Sequence, residues 1–149
     1  MKVLILEDYL LVAWALRLLV VETDPKIQVV GIATNPERAL ALARIHEPDL
    51  ALVDIRLENN TSGVVAAQQL FEKFGVHSVY VTAYRNDAKP VPGVLGVLVK
   101  PYNAMDIQTV LQVAGDVLAG RPPGPLSNSF ILFPDSNGLA DATRDEVAG

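Results

Sequence analysis

Five charged or polar residues stand where predicted buried strands end. Glu7 and Asp8 follow the first apolar run of the chain, and Asp54 follows the third. Thr82 ends the fourth run and Lys100 follows the fifth. In an open parallel sheet, the carboxyl ends of the strands meet at one edge, where the functional crevice lies. The three carboxylates, the hydroxyl and the ammonium group are therefore predicted to converge.

The chemistry of this set points to a divalent cation and a phosphoryl group. Three carboxylates brought together repel one another unless a cation joins them. Oxygen ligands of this kind suit Mg²⁺, which would also offset the charge of an incoming phosphoryl group. Lys100 can pair with one phosphoryl oxygen, and the hydroxyl of Thr82 can donate a hydrogen bond to another.

The elements that must position these residues follow from the hydrophobic pattern. Short apolar runs, several of them rich in β-branched residues, alternate with longer helical patterns. The predicted strands are residues 2–6, 27–33, 50–54, 77–82 and 94–99. The predicted helices are residues 10–22, 36–47, 63–74 and 104–119, with Asn35 and Asn103 as N-caps of the second and the last. The alternation predicts an α/β fold, in which helices cover both faces of a parallel sheet.

The ordered set of Glu7-Asp8, Asp54, Thr82 and Lys100-Pro101 resembles the CheY-like receiver domain of response regulators. The resemblance covers about residues 1–120. Each motif is weak by itself, but together they stand in the family's order at the predicted strand ends. The resemblance implies a doubly wound, five-stranded parallel sheet of the flavodoxin-like type, with strand order 2-1-3-4-5.

The resemblance also implies a role for each site residue. Asp54 would be the phosphoacceptor, taking its phosphoryl group from a sensor histidine kinase or a histidine phosphotransferase. Glu7 and Asp8 would hold Mg²⁺ together with Asp54 and the backbone carbonyl of Arg56. The residues implied to bind the phosphoryl oxygens are Thr82 and Lys100. Such a protein catalyses its own phosphorylation and slow dephosphorylation, and it has no metabolic substrate.

The sequence departs from the family pattern in three places. Receivers usually carry Tyr or Phe three residues before the lysine, where this chain has Val97. The segment between the fourth and fifth strands is shorter than usual and contains Pro90 and Pro92. Because a proline inside a helix costs about 3 kcal/mol or more, we expect the family's fourth helix to be shortened or remodelled. Arg56 lies two residues after Asp54, where its side chain could reach the phosphoryl group and slow or alter hydrolysis.

Composition bears on the partners and the compartment. Twelve Lys and Arg residues stand against 17 Asp and Glu residues, for a net charge of −5, and no basic stripe is visible. Direct binding of nucleic acid is therefore not expected. No apolar run reaches the roughly 18 residues of a membrane span, and Glu7 and Asp8 interrupt any signal-peptide pattern. The chain has no cysteine, and we expect it to lie in the cytoplasm.

Two segments predict interactions. The first helix is apolar all round, so a single core-facing stripe does not account for it. It is interpreted as a homodimer or kinase-docking surface or, alternatively, as a helix buried under the C-terminal tail. Residues 121–149 are predicted to be a Pro-rich linker and tail, disordered from residue 135. The apolar residues 130–133 within this segment either pack on the domain or exchange onto a partner.

Several functions are compatible with this pattern. The favoured one is a stand-alone receiver that signals through its own surface, because only a short tail follows. A receiver-like interaction module that works without phosphate is the main alternative, and Val97 and the altered fourth helix favour it. A dehalogenase-type phosphatase would need Asp at position 56, where this chain has Arg. A flavodoxin-like cofactor binder would need a phosphate loop after the first strand, where Tyr9, Leu10 and Leu11 stand.

Overall fold

The computed structural model describes residues 1–134 of the chain. Residues 135–149, which we predict to be disordered, lie outside the described residues. The strands are β1 (Lys2–Leu6), β2 (Gln28–Ala33), β3 (Leu50–Val53), β4 (His77–Thr82), β5 (Val94–Val99) and β6 (Phe130–Leu132). The helices are α1 (Leu10–Thr23), α2 (Pro36–His46), α3 (Gly63–Phe74) and α4 (Ala104–Leu118). The predicted bounds agree with these to within one or two residues.

The strands form one sheet in the order β2-β1-β3-β4-β5-β6. The first five are parallel, which confirms the predicted fold class and strand order. The prediction of five strands was one short, because β6 pairs antiparallel with β5. This strand comes from the apolar part of the predicted tail, and it occupies the edge of β5 that the parallel strands leave free.

Burial on both faces explains the continuous apolar runs of the strands. In β1, Val3 and Ile5 pack in the cluster that contains the buried faces of α1 and α4. Leu4 and Leu6 point to the opposite face and pack with α2 and α3. Side chains alternate between the faces along a strand, so a strand covered on both sides needs an apolar residue at every position.

The predicted helix starts are confirmed by their caps. The side chain of Asn35 accepts a hydrogen bond from the Arg38 amide at 2.8 Å, at the start of α2. Asn103 and Asp106 form a capping box at the start of α4, with both hydrogen bonds at 2.9 Å. These bonds satisfy amide groups that have no partner within the helix. The α4 cap lies close to the predicted site in sequence, because α4 begins four residues after Lys100.

The connection between β4 and β5 confirms the predicted remodelling of the family's fourth helix. Its only helical piece among the described residues is the three-residue 3-10 turn Arg85–Asp87. Tyr80 and Val97 are nevertheless buried on this face of the sheet. Val91 of the connection and Ile131 and Phe133 of the C-terminal segment pack against them.

Helix α1 has two apolar stripes. Ala13, Leu16 and Val20 are buried against the sheet, whereas Leu11, Trp14 and Leu18 on the outer side are 87%, 55% and 60% exposed. Residues 130–132 of the C-terminal segment pair with β5. None of the helices in residues 1–134 is long and apolar enough to span a membrane.

Candidate functional site

The pairing of β1 with β3 brings the acidic residues together. These strands are parallel neighbours, and Leu6 lies opposite Val53. Glu7 and Asp8 therefore leave β1 at the same edge where Asp54 leaves β3. The Asp54 amide donates to the Leu6 carbonyl at 2.9 Å, which continues the ladder into the site.

The three carboxylates form a compact oxygen cluster. One oxygen from each of Glu7, Asp8 and Asp54 lies within 4.8 Å of the others. The Ile55 amide donates to Asp54 Oδ1 at 2.8 Å, and the Glu58 amide donates to Asp8 Oδ2 at 3.0 Å. These bonds hold two of the carboxylates in place and leave other oxygens free.

Two oxygens of this cluster indicate that it binds a cation. Glu7 Oε1 and Asp8 Oδ1 are buried and have no hydrogen-bond partner among the described residues. A buried polar atom without a partner carries a desolvation cost, which a bound ion removes. A hard cation that prefers oxygen ligands fits the donor set. The residues present therefore fit Mg²⁺.

The pKa of Glu7 is strongly shifted by this environment. Burial, followed by the hydrogen bond and the charge of Asp54, raises the pKa of Glu7 from 4.5 to about 8. Lys100 opposes this shift only in part. Without a cation, burial beside Asp54 therefore favours the protonated form of Glu7 at neutral pH.

Lys100 reaches the carboxylates from β5. Its Nζ lies 3.7 Å from Glu7 Oε2 and 3.8 Å from Asp54 Oδ2. Both distances are longer than a hydrogen bond, so the ammonium group is attracted by charge but keeps its donors free. The Lys100 amide donates to the Thr82 carbonyl at 2.9 Å, which ties the ends of β4 and β5 together.

Thr82 lies beside this group but is fully buried. Its Oγ accepts a hydrogen bond from the Tyr84 amide at 3.1 Å, a bond that leaves the hydroxyl proton available. The cleft above the carboxylates, about 400 Å³ in volume, is lined at this strand by Ala83 and Tyr84 instead. The role of Thr82 in binding a phosphoryl oxygen stays a prediction.

The side chain of Arg56 lies at the mouth of the cleft. Its Nε donates to Asp87 Oδ2 at 2.8 Å, and its guanidinium carbon lies 3.6 Å from the centroid of the Tyr84 ring. Asp87 belongs to the short turn between β4 and β5. Sequence reasoning did not find Tyr84 or Asp87, because their partner lies about 30 positions earlier in the chain.

Gly63 is a third residue whose role at the site the sequence did not indicate. Its amide donates to the Ile55 carbonyl at 2.7 Å. A Cβ atom at this position would overlap the backbone carbonyl oxygen of Asp54. Only glycine lets the start of α3 lie directly against the backbone of the acidic site.

Gly63→Ala is expected to lower the free energy of unfolding by about 1–3 kcal/mol, because the added methyl forces the Asp54 backbone to move. Chemical denaturation measures this change. The matched control is Gly115→Ala in α4, where a Cβ meets nothing within 4 Å, and we expect it to be neutral or slightly stabilising. Equal stability of the two variants would contradict the close contact at Gly63.

The chain is similar to known proteins. The family model of the response regulator receiver domain matches residues 3–112. The chain is 36% identical over 93 residues to the transcriptional regulatory protein YdfI of Bacillus subtilis, covering 62% of this chain and 43% of that protein. It is 30% identical over 118 residues to the phyllosphere-induced regulator PhyR of Methylorubrum extorquens, covering 76% and 43%. The chain thus spans about half the length of the curated relatives it matches.

Solved structures of receiver domains are also similar to this chain. The signal receiver domain of a modulated diguanylate cyclase from Desulfovibrio desulfuricans is similar with a TM-score of 0.66 and 28% identity. That match covers 79% of this chain and 95% of the other. The receiver domain of PhyR from Erythrobacter litoralis gives a TM-score of 0.66 and 25% identity, covering 85% and 95%. The chain belongs to the response regulator receiver domain family.

Proposed function

We propose that this receiver accepts a phosphoryl group on Asp54 from the phosphohistidine of a sensor histidine kinase or a phosphotransferase, with Mg²⁺ as cofactor. The convergence of the Glu7, Asp8 and Asp54 carboxylates with the Lys100 ammonium group at one sheet edge carries this proposal. The phosphorylated domain then signals through its own surface.

The geometry supports a nucleophilic role for Asp54. The Ile55 amide binds Oδ1, so Oδ2 is the oxygen left to attack phosphorus. The new P–O bond forms as the P–N bond to the donor imidazole breaks, and the imidazole leaves with the electron pair and takes up a proton. Lys100 then donates a hydrogen bond to one phosphoryl oxygen and Thr82 to another, where charge develops during transfer.

The metal site is assigned to the same edge. Glu7, Asp8 and Asp54 would hold Mg²⁺, together with the backbone carbonyl of Arg56. When bound, the ion would offset negative charge on the phosphoryl oxygens. As one of its ligands, Glu7 would be deprotonated, because metal ligands must be deprotonated.

The test is intact-mass measurement after incubation with acetyl phosphate, with Mg²⁺ or with EDTA. We expect one phosphoryl adduct per chain in Mg²⁺ and none in EDTA. Peptide mapping is expected to place it between Leu50 and Phe74. Folded protein that forms no adduct in Mg²⁺ would contradict the proposal.

A phosphodonor protein is proposed to dock on the outer stripe of α1, which consists of Leu11, Trp14, Leu18 and Val21. Their spacing of three and four residues suits packing against another helix. The helix begins three residues after Glu7, and Val12 in its first turn lines the cleft that contains Asp54. Self-association into a homodimer, through this stripe or through the C-terminal segment, is the competing use.

A phosphate-independent interaction module is the second candidate. Val97, at the position where the family usually has an aromatic residue, is buried in the core, and the outer stripe of α1 is open to a partner. Absence of the Mg²⁺-dependent adduct, with partner binding intact, would favour this function.

We further propose that the chain acts in the cytoplasm and turns over no metabolic substrate. Its own chemistry is then limited to self-phosphorylation and slow autodephosphorylation. We propose that Arg56, which is held at the mouth of the cleft by Asp87 and Tyr84, alters the second of these reactions.

A further inference from the structure

The segment of residues 129–133, here called the C-terminal clasp, is joined to β5 along its whole length. Gly96 pairs with Leu132 and Leu98 pairs with Phe130. Two further backbone bonds extend the pairing at its ends. The Val99 amide donates to the Ser129 carbonyl at 2.9 Å, and the Phe133 amide donates to the Leu95 carbonyl at 2.8 Å. The clasp lies beyond the region that matches the receiver family, residues 3–112.

Gly96 makes this close pairing possible. A Cβ atom at position 96 would overlap the carbonyl oxygen of Ile131 and lie 3.0 Å from Leu132 Cα. Any larger residue at position 96 would therefore push the clasp away from the sheet. Gly96 adapts β5 to receive this strand.

The side chains of the clasp pack on both faces of the sheet at its edge. Phe130 is buried in the cluster formed by α1, α4 and the sheet, with Leu132 packed against it. Ile131 and Phe133 point to the opposite face and pack on the cluster of Tyr80 and Val97. On that face the β4–β5 connection has only a 3-10 turn. The clasp thus buries the apolar surface that a helix in this connection would otherwise cover.

The clasp also contacts both strands that lead into the site. The Phe133 ring packs edge-on against Tyr80, with centroids 6.3 Å apart, and Tyr80 lies two residues before Thr82. Ser129 binds the amide of Val99, the residue before Lys100. A displacement of Thr82 or Lys100 toward a phosphoryl group therefore moves backbone to which the clasp is attached.

From these contacts we propose that the C-terminal clasp is the element of this protein that responds to phosphorylation. Capture of the phosphoryl group by Thr82 and Lys100 changes the equilibrium between docked and open clasp. The β5 edge and the Tyr80–Val97 face then form the output surface. This inference rests on the proposed phosphorylation of Asp54.

Hydrogen exchange of the full chain tests the coupling, with and without the phosphoryl mimic beryllium trifluoride in Mg²⁺. We expect the exchange of the clasp amides and of Val99 to change by about fivefold or more, the lower end of allosteric coupling. The opposite edge strand, β2, is the internal reference and is expected to change less. An adduct on Asp54 with unaltered clasp exchange overturns this inference and leaves the proposed function standing. If neither an adduct nor binding of the mimic is found, both fail.

Gly96→Ala provides the reciprocal test, because it displaces the clasp without altering any residue of the site. Coupling between two equilibria is reciprocal, so we expect its affinity for beryllium trifluoride, measured by calorimetry, to change by about the same factor. Gly115→Ala is the control, and we expect its affinity to match the wild type. If Gly96→Ala does not fold, Phe133→Leu replaces it, since loss of the ring contact with Tyr80 weakens docking of the clasp, which faster exchange of the clasp amides verifies. Wild-type affinity in a folded variant with a displaced clasp would refute the coupling.

Discussion

Asp54→Asn is expected to form no phosphoryl adduct with acetyl phosphate in Mg²⁺, under conditions where the wild type is modified. An amide oxygen is a much weaker nucleophile than a carboxylate, and the substitution also removes one of the three acidic ligands of the cation. The variant is expected to fold, because Asn has nearly the same shape and its carbonyl oxygen can still accept the Ile55 amide. Intact-mass measurement reports the adduct, and circular dichroism reports the fold.

The matched control is Asp24→Asn. Asp24 follows the C-terminal end of α1, and its side chain accepts a hydrogen bond from the Lys26 amide. It lies at the far end of α1 from Glu7 and Asp8, so we expect wild-type phosphorylation. If Asp54→Asn retained an adduct, the phosphoacceptor would have to be a different residue, and Asp8 would be the first to examine.

Glu7→Gln is expected to stabilise the metal-free protein at pH 8 by about 2–4 kcal/mol and to have little effect at pH 5. Burial and Asp54 raise the pKa of Glu7 to about 8, whereas the unfolded chain has the ordinary value of 4.5. Between these values the folded state binds more protons than the unfolded state. The contribution of Glu7 to the free energy of unfolding therefore falls as pH rises from about 5 to about 8, and glutamine removes this contribution.

Urea denaturation at pH 5, 6, 7 and 8 in EDTA measures this effect. Glu72→Gln, on the exposed side of α3, is the control and is expected to keep the wild-type pH dependence. Saturating Mg²⁺ is expected to restore much of the wild-type stability at pH 8, because a ligand that binds only the folded state stabilises it. If the stability difference between the wild type and Glu7→Gln stayed the same from pH 5 to pH 8, Glu7 would already be ionised at pH 5 and the prediction would fail.

The sequence by itself determined which residues meet at the site. Glu7, Asp8, Asp54 and Lys100 each follow a buried apolar run, and parallel strands necessarily bring such positions to one edge. The structure places one oxygen of each carboxylate within 4.8 Å of the others. Lys100 Nζ lies 3.7 Å from Glu7 and 3.8 Å from Asp54. The helix starts at Asn35 and Asn103 were equally readable, because a capping side chain binds amides only two or three residues away.

Only the tertiary structure decided the details that depend on distant contacts. The apolar residues 130–133 were compatible with packing on the domain or on a partner, and the free edge of β5 decided for the domain. Arg56 and Asp87 meet across a connection whose path the pattern left open. Glycine is needed at positions 63 and 96 because the backbone oxygens of Asp54 and Ile131, which are distant in sequence, approach these positions closely. The raised pKa of Glu7 comes mainly from burial. Strand ends follow from local periodicity, whereas edge pairing, close approach and desolvation depend on how the finished layers pack.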